Sequence, residues 1–467
     1  LYIAHVLPIL YNPLMEQYYI EKPNLNSVDK AKMLQKYIDN ERKYAPFIFR
    51  VSEPEYLYWE KAKYKQVPDD LSKEEFWYLV RQIRKLSSSP TPIKAESGEF
   101  FTWLRLTYTD EFLHKIDVHT GGQIFAPYEV LKEESRQKYI ARGILEEAIA
   151  SSQLEGANTT RKVAKMMILE KRAPRSSSER MIVNNYNTMK MLEQDYKNKE
   201  LSKELLFEMH GMLTKDTISI DEQNRFRKDE DEIVVKNNKY IAHIPPKEAF
   251  LNQDINRLID FANDKESRIF THPVIKAIIL HFWIGYLHPV TDGNGRIARA
   301  LFYWYLLRKG YWTFMYLPIS SIIKNSPSQY ANAYIYAEQD GLDFTYFYDY
   351  HLRKIMQSLE EFRKYVDKVN AENKQIDITL GKEIVLNDRQ KQLIHYLLSE
   401  TEEGYVTVSS HMSLNNIARR TAFSDLKQLE QKGLLTSRKE GKFTKYYIST
   451  KLKELTTSKP TNSNSSL

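Results

Sequence analysis

Residues 287–300 read "LHPVTDGNGRIARA". It gathers a histidine, an aspartate, two glycines about an asparagine and two arginines three residues apart, in a chain of 467 residues with only 15 glycines. The preceding "PVIKAIILHFWIGYLHP" is apolar all round, which predicts a buried helix. That helix stops near His288, because Pro289 disfavours helical backbone at the residue before it. A second helix is expected from around Gly295 through "RIARALFYWYLLRK", closed by Gly310 as a left-handed cap. Gly293, Asn294 and Gly295 then form a tight turn at a helix N-terminus, where backbone N–H groups lack partners and the dipole is positive. Such a turn is an anion nest, and Arg296 and Arg299, one helical turn apart, add two cationic forks for phosphate oxygens. Asp292 suits a Mg²⁺ ion bridging those phosphates, and His288 suits a general base near neutral pH. No Lys-Ser/Thr pair follows the glycines, so this is not a P-loop. On the residues alone, a plain turn with solvated arginines stays open as the alternative.

Composition bounds the rest. With 42% hydrophobic and 28% charged residues the chain is long enough for about two to four globular domains. It has no cysteine, which excludes disulfides, a thiolate nucleophile and cysteine-ligated zinc, and fits a reducing compartment. The apolar run "AIILHFWIGYL" is far shorter than the roughly 20 residues of a membrane span. "LYIAHVLPIL", at the start, has no basic leader and no small-residue cleavage site, so no signal peptide is expected there. A cytoplasmic location without membrane contact follows as an expectation.

Along the chain, residues 1–130 form an aromatic-rich region without an assignable role. In it "KEEFWYLVRQIRKL" has helical spacing, "GEFFTWLRLTY" alternates as a strand does, and "SSSPTP" at 87–92 is expected to be a loop. A long helical pattern runs from Leu131 to Gly156. Helical spacing resumes over 180–365, interrupted by a hairpin-like insert, and residues 366–383 read as a charged helical linker. Residues 384–452 form a last module. From Ile384 to Lys459 there are 13 Lys and Arg against 8 Asp and Glu, so the basic excess lies at this end. The tail 453–467 is polar, low in complexity and expected to be disordered.

"HPVTDGNGRIAR" resembles the signature of the Fic family, His-Pro-Phe-x-Asp/Glu-Gly-Asn-Gly-Arg-x-x-Arg, with Val290 where the family usually has Phe. The resemblance extends over about residues 125–365, including "SSSERMIVNNYNTMKML" and "GLDFTYFYDYHL". It implies a mainly helical core that transfers AMP from ATP to a Ser, Thr or Tyr hydroxyl of a target protein. His288 would be the base, Asp292 the Mg²⁺ ligand, Gly293, Asn294 and Gly295 the anion hole, and Arg296 and Arg299 the phosphate holders.

Two further segments resemble family features. In "DEIVVKNNKYIAHIPP" the runs Ile233–Val235 and Tyr240–Ile244 flank Asn237 and Asn238, which tolerate the positive φ of a tight turn. This is similar to the flap, whose exposed edge registers a target segment by strand addition. In "SSQLEG", Ser151 and Glu155 are four apart on one helical face and Gly156 lets the chain turn away. That pattern resembles the inhibitory motif of class II Fic proteins, whose glutamate pairs with the second motif arginine, here Arg299, and displaces the γ-phosphate.

The last module reads as a winged helix-turn-helix. "NNIARRTAFSDLKQLEQKGLL" looks like a recognition helix ending at Gly433, and "TSRKEGKFTKYYIS" looks like a wing about Gly441. Arg419, Arg420 and Lys427, with Arg438, Lys439, Lys442 and Lys445 along the wing, are the candidate DNA contacts; a protein-docking or homodimer module is the alternative. The expectation is a mainly α protein: a Fic core with a β-hairpin flap, self-inhibited by Glu155, and a C-terminal winged helix. Removal of AMP by the same site, transfer of another phosphate-containing group, and a nucleotide-sensing DNA-binding regulator are the competing readings.

Overall fold

The computed structural model describes residues 16–120, 133–237, 239–265, 270–380, 384–399, 404–415, 417–440 and 443–457, and is mainly helical. Its first part holds α1 (Lys30–Asp39), α2 (Glu41–Ser52), α3 (Trp59–Ala62), α4 (Lys73–Leu86), β1 (Ser89–Lys94), β2 (Phe100–Trp103) and α5 (Thr109–Thr120). The middle runs α6 (Glu133–Leu154), α7 (Arg161–Leu169), α8 (Ser177–Gln194), α9 (Lys203–Thr214), β3 (Val235–Lys236), β4 (Ile241–His243), α10 (Glu248–Ala262) and α11 (Pro273–Leu287). It continues with α12 (Asn294–Arg308), α13 (Ile319–Lys324), α14 (Pro327–Gln339) and α15 (Thr345–Leu380). The last part is α16 (Asp388–Ser399), β5 (Tyr405–Val406), α17 (Val408–Asn415), α18 (Arg419–Gln431), β6 (Leu435–Glu440), β7 (Phe443–Ile448) and α19 (Thr450–Thr457).

The helix expected at "KEEFWYLVRQIRKL" is α4, started by Ser72 and Glu75, which satisfy each other's backbone N–H groups as a capping box. Of the loop expected at 87–92, residues 89–92 are instead part of strand β1. Pro90 and Pro92 are tolerated because a two-stranded ribbon has outer edges that need no donor, and Thr91 and Ile93 are buried in its inner face. The described part of residues 1–130 shares one hydrophobic core with α11, α12 and α15. Phe101, for example, meets Phe282 edge-on at 5.2 Å, and buried Arg84 donates to Val51 O, Leu57 O and the Tyr346 hydroxyl.

The long helix expected over 131–156 is α6, whose course is set by Gly143. A Cβ at this position would fall on the main-chain carbonyl of Met315, so glycine lets the helix lie directly on that backbone. Gly→Ala inside a helix normally stabilises by about 1 kcal/mol. Here the clash reverses the sign, and Gly143→Ala is expected to lower stability by about 1–3 kcal/mol in thermal or denaturant unfolding. An alanine variant as stable as the parent would mean that α6 is not seated as described.

α11 is buried along nearly its whole length and ends at His288, whose backbone adopts φ 48°, where Pro289 forbids another helical turn. α12 starts from Gly293 at φ 90° and closes before Gly310 at φ 85°. α15 continues through the stretch expected as a charged linker as far as Leu380. The last module has its own small core, built on Leu393, Ile394, Val406, Leu426 and Leu429, over a three-stranded antiparallel sheet of order β5-β7-β6. Helix α19 covers residues 450–457 with Leu452 buried, so the expected disordered tail is corrected over 453–457; residues 458–467 lie outside those described. No helix among the described residues is long and apolar enough to cross a membrane.

Candidate functional site

The turn between α11 and α12 is fixed by its own side chains. Asn294 donates from Nδ2 to Val290 O at 2.7 Å and accepts the Val290 N–H on Oδ1 at 3.0 Å. Both bonds use Val290's backbone, so the loop shape does not depend on an aromatic residue there; the valine itself is 2% exposed in the main core. The Asn294 side chain thus shapes the turn.

His288, Asp292, Gly293, Asn294, Gly295 and Arg299 line one cavity of about 140 Å³, closed by Val235, Lys236, Ala242 and His243 of the hairpin and by Tyr330, Tyr334 and Glu338 of α14. Pockets that hold a drug-sized ligand run to roughly 300–1,000 Å³, so this space is small beside them. Glu155 shortens it. Its carboxylate sits where a Cβ on Gly295 would fall, at the N-terminus of α12, and Arg299 Nη2 donates to its Oε1 at 2.8 Å. At the C-terminal end of α6 a carboxylate opposes the helix dipole; at the N-terminal end of α12 it is favoured, so the charge leans across. Gly156, at φ 94°, lets the chain leave there, with Ala157 N–H closing on Ser152 O.

Arg299 is buried, which disfavours its charge, but Glu155 outweighs that cost and holds the guanidinium above its ordinary value. Ser151 lies on the same face of α6 as expected, yet its hydroxyl does not hold the glutamate. Ser151 Oγ accepts from Arg299 Nε at 2.7 Å and its carbonyl accepts from Nη2 at 3.1 Å. One turn earlier Glu147, also buried, takes the Tyr303 hydroxyl and the Ser320 N–H, which fixes α6 against α12 and α13.

Arg296 is corrected. It does not line the cavity with Arg299: its side chain is fully buried, donating to Leu213 O at the end of α9 (2.9 Å) and to Asp292 Oδ2 (2.7 Å). A position three residues from Arg299 shares only part of its helical face, and the carboxylate four residues back captures the fork. Asp292 itself stays partly exposed on the cavity rim. Among the described residues no group of three His, Cys, Asp or Glu is arranged to hold a metal ion.

His288 is buried, with Nδ1 3.4 Å from Gly285 O. A carbonyl only accepts, so the proton lies on Nδ1, and Nε2, which has no protein partner, is left as a lone-pair acceptor. Burial, then the neighbouring charges of His243 and Arg227, push its pKa down to about 3. The ring is therefore neutral, the form a general base requires. No signal in the sequence marks Arg227, which donates to His288 O at 2.8 Å and to Leu287 O, pinning the loop from behind. His243 was missed as well. It donates from Nδ1 to Glu338 at 2.7 Å and from Nε2 to Tyr286 O at 2.8 Å, and although burial opposes its charge, Glu338 raises its pKa.

A pH dependence follows. His281 and His351, like His288, are held below the ordinary histidine value by burial, His351 at about 3. Between about pH 6.5 and 3 the unfolded chain binds these protons and the native chain does not, so stability is full above that window and falls as pH drops through it. His243, shifted the other way, loses its contribution only as pH rises above the ordinary value, so it does not offset the acid side. His288 and His351 each cost about 2 kcal/mol at about pH 5. Urea midpoints well below those at neutral pH are expected there; equal midpoints would contradict buried neutral histidines.

The expected hairpin is β3–β4, with a turn in which Asn237 Oδ1 accepts from the backbone N–H groups of Lys239 and Tyr240; Asn238 lies outside the described residues. Its β4 edge is not open. Residues 16–18 pair with it in parallel, Gln17 opposite Ile241. In the last module Arg419 and Arg420 are exposed at the start of α18, without an ion-pair partner among the described residues. Lys427 is paired with Glu430 and Lys445 with Glu440, while Arg438 lies over the Tyr447 ring. Lys439 is exposed and Lys442 lies outside the described residues. The module packs on α6, the helix just before Glu155: Leu414 of α17 joins the core between α6, α7 and α8, and the Tyr405 hydroxyl donates to Glu170 at 2.8 Å.

Residues 200–306 match the model of the Fic/DOC family. The Protein adenylyltransferase Fic of Nematostella vectensis is 39% identical over 69 residues, 15% of this chain and 16% of that protein. The corresponding protein of Aedes aegypti is 37% identical over 70 residues, 15% of this chain and 14% of that one. A solved structure of a Fic family protein from Desulfovibrio desulfuricans G20 aligns over 73% of this chain and 96% of its own, at 17% identity and a TM-score of 0.46. The matches thus span less than a fifth of these curated relatives, and Ser151, Glu155 and the last module lie outside the family match. Within those limits the chain carries a Fic/DOC domain at residues 200–306.

Proposed function

We propose that this chain is a protein adenylyltransferase, held off in the observed state by Glu155 in the class II manner. The observation that carries the reading is the carboxylate on the N-terminus of α12, paired with Arg299, in the cavity that also holds the neutral His288. An anion seated in that nest marks where phosphate goes. The adenylyltransferase names of the relatives support the same chemistry.

In the reaction, an acceptor hydroxyl gives its proton to His288 Nε2 while its oxygen attacks the α-phosphorus of ATP. The bond to the β-phosphate oxygen breaks, pyrophosphate leaves, and AMP stays on the acceptor oxygen. The Gly293 to Gly295 turn and Arg299 hold the displaced charge once Glu155 has moved aside, so positioning and charge neutralisation do most of the work. As the triphosphate enters, its negative charge raises the His288 pKa back toward a working value. Asp292 would hold Mg²⁺, which supplies charge neutralisation at the phosphates. The hairpin is the docking place for the acceptor. Incubation with ATP labelled on the α-phosphate should label protein, whereas ATP labelled on the γ-phosphate should not; the reverse pattern would mean phosphate transfer.

We further infer that the last module is a winged helix that contacts DNA through Arg419 and Arg420. An exposed cationic pair at the positive end of α18, with a two-stranded wing beside it, supports this reading. Duplex binding should weaken steeply with salt, and Arg419→Ala with Arg420→Ala should reduce it about tenfold or more without changing AMP transfer. Binding that ignores salt, or none at low ionic strength, would make the module a protein dock.

A further inference from the structure

The hairpin that would receive an acceptor is already carrying a third strand, and it comes from the same chain. Ile241 N–H donates to Glu16 O at 3.0 Å and Tyr18 N–H donates to Ile241 O at 2.8 Å. Both polar groups of one strand residue point to one edge, so β3 takes the opposite edge of β4. The Tyr18 ring stacks on Tyr240, centroids 4.5 Å apart and planes at 26°. The segment is then tied to α14: Gln339 Nε2 donates to Tyr18 O at 2.9 Å and Ile20 N–H donates to Gln339 Oε1 at 3.0 Å. Gln339 neighbours Glu338, the cavity residue that grips His243, so residues 16–20 bridge two walls of the site.

We propose that residues 16–18 are a tethered occupant of the acceptor's docking edge, which an extended segment of an acceptor protein must displace before its hydroxyl reaches His288. This rests on the reading of the hairpin as the acceptor dock. It makes a second brake, acting on the protein substrate, whereas Glu155 acts on the nucleotide. The pairing is backbone-mediated and so is reproduced by any extended segment, with the Tyr240 ring selecting an aromatic or flat side chain. The contact is short, but a tether supplies an effective concentration on the order of millimolar, enough to outcompete weak free segments.

The absence of cysteine in the chain makes the edge directly readable by thiol chemistry. In the full chain with Ile241→Cys, a synthetic peptide of residues 12–22 carrying Cys in place of Gln17 is offered as a disulfide donor. Adding Tyr18→Pro removes one backbone donor and the stacked ring, and should raise the coupling rate at least tenfold, with a scrambled peptide gaining much less. Equal rates in the two backgrounds, or a scrambled peptide coupling as fast, overturn the proposal. A second arm uses Gln17→Cys with Ile241→Cys in a Glu155→Gly background, with a His288→Ala copy of the chain as acceptor. Oxidation should cut AMP transfer at least tenfold and reductant should restore it, while binding of a non-hydrolysable ATP analogue is unchanged. Transfer that is indifferent to the lock overturns the proposal and leaves the transferase reading standing. No transfer from the unlocked chain sinks the transferase reading instead, and the coupling ratio still decides whether residues 16–18 hold the edge.

Discussion

Glu155→Gly is expected to raise AMP transfer by about ten- to a thousandfold. The Glu155 carboxylate and Arg299 guanidinium are both nearly enclosed, with 12% and 5% of their side chains exposed. A charge-assisted pair in such surroundings is worth on the order of 2–4 kcal/mol, and each 1.4 kcal/mol is tenfold. A triphosphate must break that pair before it reaches the N-terminus of α12, and glycine removes the competitor. It also vacates the space against Gly295, so the cavity gains length where the phosphates go. The gain should appear as tighter binding of an ATP analogue in calorimetry and as faster labelling of acceptor. If affinity and transfer were both unchanged in a folded variant, the pair would be structural only. If the variant instead lost a measurable AMP-removing activity, Glu155 would be a residue that orients water.

His288→Ala is expected to abolish transfer in either background, a fall of about 100-fold or more, the usual scale for losing a positioned base. Nucleotide binding should survive, because the ring touches neither Arg299 nor the glycine turn in the described contacts. That split, binding kept and turnover lost, distinguishes a base from a residue that merely holds the loop. The loop has independent support from Arg227 and Asn294, so the alanine variant keeps its shape. A variant that binds ATP and still transfers AMP at the parent rate would remove His288 from the mechanism.

The ends of α11 and α12 were legible in the sequence because Pro289 restricts the residue before it, while Gly293 and Gly310 supply the positive φ of a helix boundary. The spacing of Ser151 and Glu155 showed only a shared helical face, and the pairing of Glu155 with Arg299 was implied by the resemblance of "SSQLEG" to the inhibitory motif. The fate of Arg296 was not, since helical spacing alone does not say which of two acceptors, a phosphate or Asp292, a buried fork takes. Arg227 acts across the fold from a loop and His243 from a three-residue strand, both too short on regular structure for periodicity to mark them. The strand at 89–94 was hidden by its prolines, which exclude a central strand but not a ribbon edge. The pairing of residues 16–18 with Ile241 joins positions more than 200 apart through backbone groups, and backbone groups leave no trace in side-chain pattern.

The most direct measurement is peptide mass mapping of the Glu155→Gly chain after incubation with ATP and Mg²⁺, beside the same chain carrying His288→Ala as well. A Ser, Thr or Tyr peptide heavier by one AMP group is expected in the first and no such peptide in the second. An adduct that persists without His288, or a modification of any other composition, would contradict it.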